Sequence, residues 1–257
     1  MRTSDAPTDG AWPDSTLVRT RESLHAVAEH VLAAARYRAI GRIGLVVSTG
    51  GFATPPFGPS GTVVAVDGVD LVVREEALGR AGAGHDDDGP APGDGTPSED
   101  ALGTEHRAPL STVRAAADLV GIPPGGPGAV YPLATPLEPD RPLEIDPIAA
   151  GRLAAWYALG DAALRRLRAE IAADEPSEIT LWPEHADVAL SAAGVNYGAS
   201  PGDESVPAPY LYVGPASPPP PDEFWNAPFG AALTWDDVHD EEAALAFFRA
   251  GRARLTA

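Results

Sequence analysis

The residues best equipped to contact a ligand gather in the carboxy-terminal half of the chain. They are Trp182, His185, Asp187, Tyr197, Tyr210, Tyr212, Trp225 and Asn226, with Asn196, Phe224, Phe229 and Trp235 among them. Such a set can supply flat apolar walls together with a few hydrogen-bonding groups, the usual composition of a small-molecule pocket. Strand periodicity sorts part of it. Asp187 alternates with Val188 and Leu190 follows two residues on, while Tyr210 and Tyr212 alternate with Leu211 and Val213. An aliphatic face is therefore expected against helices, and a tyrosine and carboxylate face is expected to line a concave site. Packing alone competes with this reading, because aromatic clusters commonly complete a core, here beneath the Pro-rich stretch Ser217 to Pro221.

Other constellations fail on chemistry. Gly198-Ala-Ser200-Pro-Gly202 matches the G-x-S-x-G pattern of α/β-hydrolases, with Asp222, Asp236 and His239 following in order. The residue after such a nucleophile must give its backbone N–H to the oxyanion, and Pro201 has none. Glu184, His185 and Asp187 with a distant His239 could build a metal- or carboxylate-dependent hydrolase, although their spacing matches no metal signature. The acidic run Asp236 to Glu242 is explained by a helix N-terminus, where carboxylates cap free N–H groups and favour the dipole. His25 and His30 fall about 140° apart on one helix and cannot share an ion. No dinucleotide or calcium-loop pattern survives, so no cofactor and no metal are expected.

Composition removes further chemistries. The chain has no cysteine, and its 18 basic residues are all arginine, so thiolate ligands, cysteine nucleophiles and Schiff-base lysines are absent. A formal charge of −19 repels phosphate backbones, and no nucleic acid partner is expected. No apolar run reaches the about 18 residues of a membrane span, and Met1 to Asp14 has no apolar stretch like a signal peptide, so no membrane partner and a cytoplasmic location are expected.

The elements that must position these residues follow from periodicity. A helix is expected from Asp14 or Ser15 toward Gly41, then a strand to Ser48 and a structured loop to Gly58. Strands at 62–66 and 69–74 form a hairpin through Asp67-Gly68. Residues 1–13 and an insertion at 79–107, rich in Gly, Asp, Pro and Ser, are expected to be disordered, because they cannot bury enough apolar surface to offset ordering. A short helix to Val120 precedes a Pro-rich connection. Asp146-Pro147 then opens the longest helix, whose apolar stripe carries Gly160 and so implies close packing. Strands at 178–182, 187–192, 209–213 and 231–235 lead to a final helix from about Asp237 to Leu255. The chain reads as a single α+β domain over 14–257, with a largely antiparallel sheet covered by helices on one face. The αβα order occurs twice, which suits an internal pseudo-repeat, though no residue string aligns between the halves.

At Leu181-Trp-Pro-Glu-His-Ala-Asp-Val-Ala-Leu190, Val195-Asn-Tyr-Gly-Ala-Ser-Pro-Gly-Asp203, Pro209-Tyr-Leu-Tyr-Val-Gly-Pro215 and Phe224-Trp-Asn-Ala-Pro-Phe-Gly230 the chain resembles a family of actinobacterial hypothetical proteins. That resemblance implies a whole-length family and no particular activity, cofactor or catalytic residue. The functional expectation is a small-molecule-binding or regulatory protein using the aromatic and polar face. The alternatives are the hydrolase above and an acidic scaffold whose insertion recruits a basic partner.

Overall fold

A computed structural model describes residues 15–75 and 103–256. It is an α+β fold built on two antiparallel five-stranded sheets. The first is a meander of β1 (Val46–Ser48), β2 (Gly51–Ala53), β3 (Val63–Asp67), β4 (Asp70–Glu75) and β5 (Thr104–Pro109). The second runs β6 (Thr180–Trp182), β7 (Asp187–Ala192), β8 (Val195–Ser200), β9 (Tyr210–Pro215) and β10 (Ala231–Thr234). They meet edge to edge, where Leu45 and Leu181 exchange backbone hydrogen bonds of 2.8 and 2.9 Å. Each half thus holds five strands bracketed by helices. α1 (Ser15–Val27) and α2 (Ala34–Ile40) precede the first sheet and α3 (Val113–Val120) follows it, while α4 (Pro147–Glu170) and α5 (Glu241–Thr256) bracket the second.

Local chemistry fixes the helix starts. The Asp146 carboxylate accepts hydrogen bonds from the N–H groups of Ile148 and Ala149 with Pro147 at the first helical position, and Thr112 and Asp240 cap α3 and α5 in the same way. The acidic run before α5 is therefore in part a cap, and Glu241 and Glu242 pair with Arg166 of α4. α4 lies against β1 and β2 of one sheet and β7 and β8 of the other. One continuous apolar core follows, with Phe52, Val64 and Leu71 of the first half joined to Trp156, Leu190 and Phe248 of the second. Among the described residues, no helix is long and apolar enough to cross a membrane.

Several expectations need correction. Val195–Ser200, which contains most of the false nucleophile motif, is strand β8. Its Asn and Gly residues disguise a strand that is buried at every position but Asn196. The hairpin turn is Gly68-Val69, one residue later than expected, because Asp67 pairs with Asp70 and Gly68 takes the left-handed conformation at φ 64°. The insertion expected at 79–107 lies outside the described residues as far as 102. Its last part, 104–107, is paired along β4, where Arg107 bridges Asp67 and Asp70. The disordered segment expected at 1–13 also lies outside the described residues.

Candidate functional site

α1 and α2 are joined by a π-helical turn, Ala28–Ala33, which is wholly buried. Its Glu29 carboxylate accepts hydrogen bonds from Ala134 N, Thr135 N and Thr135 Oγ1 at 3.0, 2.8 and 2.5 Å. His30 Nδ1 accepts from Gly126 N at 3.0 Å, and its Nε2 lies 3.2 Å from the Thr135 carbonyl. These bonds fasten the Pro-rich connection 121–146 to the helix. A π turn is often a functional feature, and here it brings Ala134 and Thr135 to the rim of a cleft.

That cleft has a volume of about 800 Å³. Its floor is the helix-free face of β7, β8 and β9. Register sorts the side chains: Tyr210 pairs with Ser200 and Tyr212 with Gly198, while Val188 pairs with Ala199 on the helix-facing side. Asp187 therefore falls beside Ser200, next to the tyrosines. The floor residue Gly198 is required, because a Cβ there would stand 2.4 Å from the Tyr212 ring. Tyr212 lies across that gap and donates its hydroxyl hydrogen to Asp187 Oδ2. Tyr210 donates to Asp203 Oδ2 at 2.5 Å. Phe229 stacks on Tyr210 with ring centroids 5.8 Å apart and meets Tyr212 edge to face at 6.3 Å. The opposite wall is α1, which contributes Arg21, Glu22 and His25.

The turn preceding β7 is held from two sides. His25 Nε2 donates to the Pro183 carbonyl at 2.7 Å, and Tyr157 Oη donates to the Ala186 carbonyl at 2.6 Å. Ala186 has φ 51°, a conformation that costs a residue with a Cβ of order 1 kcal/mol or more and persists where surrounding contacts impose it. Burial holds His25 below the usual imidazole range, against the raising influence of Glu29 and the Pro183 carbonyl, so the ring is neutral with its proton on Nε2.

Asp187 is the unusual group. It is only 6% exposed, and burial pushes its carboxyl up to about 6 despite the Tyr212 hydroxyl and His185, which favour the ionised form. Its Oδ1 has no hydrogen-bond partner, and neither has Glu184 Oε2. The sign of the linkage is clear. Between about pH 4 and 6 the folded chain keeps a proton that the unfolded chain releases, so this group's contribution to stability falls as pH rises through that window. Above it the buried charge costs about 2–3 kcal/mol. Asp187→Asn keeps an acceptor for Tyr212 and removes the charge. Urea unfolding should find the variant more stable than the parent by up to that amount near about pH 7.5, with the difference vanishing by about pH 4. Glu184, His185, Tyr157, Tyr210 and Tyr212 are the other titratable groups acting on or sensing this carboxylate.

Of the eight side chains singled out from sequence, His185, Asp187, Tyr210 and Tyr212 come together in the cleft. The other four do not. Tyr197 points to the helix side and packs edge to face on Phe248, because odd positions of β8 face the helices. Trp225 is buried in the core against Phe224. Asn226 spends its side chain bridging the backbone of Ala232. Trp182 is 39% exposed and lies beside Arg36 and Arg42 in a separate shallow groove. Sequence reasoning missed Arg21, Glu22, Thr135 and residues 203–204, and it weighed Ser200 only as a nucleophile; His25, considered only as a metal ligand with His30, carried no hint of its partner at Pro183. Of the residues named for a hydrolase, Glu184, His185 and Asp187 line the cleft together, while His239 is not among its lining residues. Among the described residues, no three His, Asp or Glu side chains converge on a metal-sized point. Comparison with family models, curated proteins and solved structures produced no match.

Proposed function

We propose that the protein binds a small molecule in the cleft over β7, β8 and β9, and that this binding is its function. The observation carrying this reading is Asp187: a buried carboxylate in the lining of a cleft walled by three rings, with one oxygen held by Tyr212 and the other enclosed with no partner from another residue. An orphaned acceptor in a dry site costs free energy that a ligand donor recovers. Maintaining such a group is hard to reconcile with an aromatic cluster that serves packing alone. Among the described residues, no nucleophile with a neighbouring base lines the cleft. Ser200 is buried, accepts from Gly202 N at 3.1 Å and hydrogen-bonds Tyr210, so binding rather than covalent catalysis is the reading its chemistry supports.

The test is a thermal-shift screen of the full chain against amines, amino acids, nucleosides, sugars and organic acids, repeated on Gly198→Ala. The added methyl displaces Tyr212 without reaching the core. At least one class should raise the melting temperature of the parent by about 2 °C or more and lose that effect in the variant. No stabilising compound, or one that works equally well on Gly198→Ala, would sink the proposal.

A further inference from the structure

We infer that the ligand is an organic polycation, a flexible aliphatic chain carrying two or more ammonium groups, with one ammonium at Asp187 and Glu184 and another at the mouth. This rests on the cleft being a binding site and goes beyond it by naming the ligand's chemistry. Three independent features support it.

The first is the balance of charge. Among the described residues, the cleft is lined by five carboxylates, Glu22, Glu184, Asp187, Asp203 and Glu204, against the guanidinium of Arg21 and the imidazoles of His25 and His185. The excess of acidic groups disfavours an anionic ligand, whereas a cation is drawn in by a field focused in a cleft.

The second is the balance of donors and acceptors. Four donors at the site already serve protein acceptors: the Tyr212 hydroxyl gives to Asp187, the Tyr210 hydroxyl to Asp203, His25 Nε2 to Pro183, and one Arg21 nitrogen to the Pro207 carbonyl at 3.0 Å, while His185 and Asn196 line the cleft as exposed polar groups. Two carboxylate oxygens of cleft residues have no partner, Asp187 Oδ1 and Glu184 Oε2. Unpaired carboxylate oxygens suit a ligand that brings N–H groups, and a charged N–H forms the stronger bond.

The third is arrangement. Asp187 is buried against Tyr212, with the half-buried Glu184 acting on it, while Glu22, Asp203 and Glu204 in the cleft lining are exposed. Methylene segments between ammonium groups would lie along the rings, whose faces also attract a cation. The inner and outer acids then each hold one charged end.

Isothermal titration of the full chain with spermidine, putrescine and butylamine tests this, with 1,4-butanediol as the uncharged match to putrescine and magnesium chloride as a bare cation. Spermidine should bind, putrescine more weakly, and butylamine weaker still, with butanediol at least roughly tenfold below putrescine. Asp187→Asn and Glu184→Gln should each weaken spermidine by about tenfold or more, with unchanged circular dichroism as the check on folding. No binding of any amine, equal binding of putrescine and butanediol, or a response that magnesium reproduces would overturn the inference. If uncharged or anionic compounds stabilise the parent and not Gly198→Ala while the amines do nothing, the cleft stands as a site and only its assignment to polycations fails. If no compound of any class acts, both fall.

Discussion

Gly160→Val should destabilise the protein by about 3 kcal/mol or more, enough to lower the melting temperature by roughly 6–12 °C. A Cβ at residue 160 would stand 2.5 Å from the Ala199 Cβ and 3.5 Å from Val188 Cγ1. Ordinary carbon contacts lie at about 3.5–4.0 Å, so α4 must move outward by more than about 1 Å. α4 touches strands of both sheets, and Trp156, Leu164 and Leu167 on the same face are fully buried, so that movement loosens packing on both sides of the join. Two effects oppose each other in the smaller variant. Gly160→Ala gains about 1 kcal/mol of helix propensity and loses about 1–3 kcal/mol to overpacking, leaving a net loss of roughly 0–2 kcal/mol. Valine keeps little of the propensity gain and adds two further methyl groups. Urea unfolding of both variants checks the gradation, and a valine variant as stable as the parent would refute so close a contact.

Glu29→Ala should cost about 3–5 kcal/mol, because three part-buried donors lose their common acceptor while each unsatisfied group costs about 1–3 kcal/mol. Partial release of residues 134 and 135 to water keeps the sum below its upper limit. Glu29→Gln retains one acceptor oxygen but turns an amide toward a donor, and it should lose roughly half as much. The location of the damage distinguishes this from general loosening. Amide exchange at Ala134 and Thr135 should accelerate in both variants while the amides of β7 and β8 stay protected. Uniform acceleration throughout the sheet would mean that Glu29 supports the core as a whole rather than the rim of the cleft.

How much of this was legible depends on the element. The second-sheet alternation was readable where one face is aliphatic and the other is not, as in Tyr210-Leu211-Tyr212-Val213, and there the side chains point as periodicity requires. It was unreadable in β8, where Gly198 and Ser200 are small because Tyr212 and the loop to Gly202 need the room, and small residues carry no hydrophobic signal. Tyr197 and Trp225 look like ligand-binding aromatics in sequence, yet Tyr197 packs on Phe248 of α5, and Trp225 packs on Phe224, which in turn meets Phe247 of α5. The α1 wall of the cleft was hidden for a different reason. His25 meets Pro183 across 158 positions of chain, and nothing local in either segment encodes that meeting.

The pairing of Leu45 with Leu181 carries a consequence for the exposed borders of the two sheets. β1 and β6 are outer strands of their own meanders, and an outer strand offers unpaired N–H and C=O groups to any other chain. Each half shields the other's exposed border, and because both lie on one polypeptide the shielding does not depend on protein concentration. Were the halves separate molecules, the same borders would govern self-association. Joined, they leave β5 and β10 as the terminal strands, and β5 carries Glu105, His106 and Arg107, the charged kind of border that discourages further strand addition.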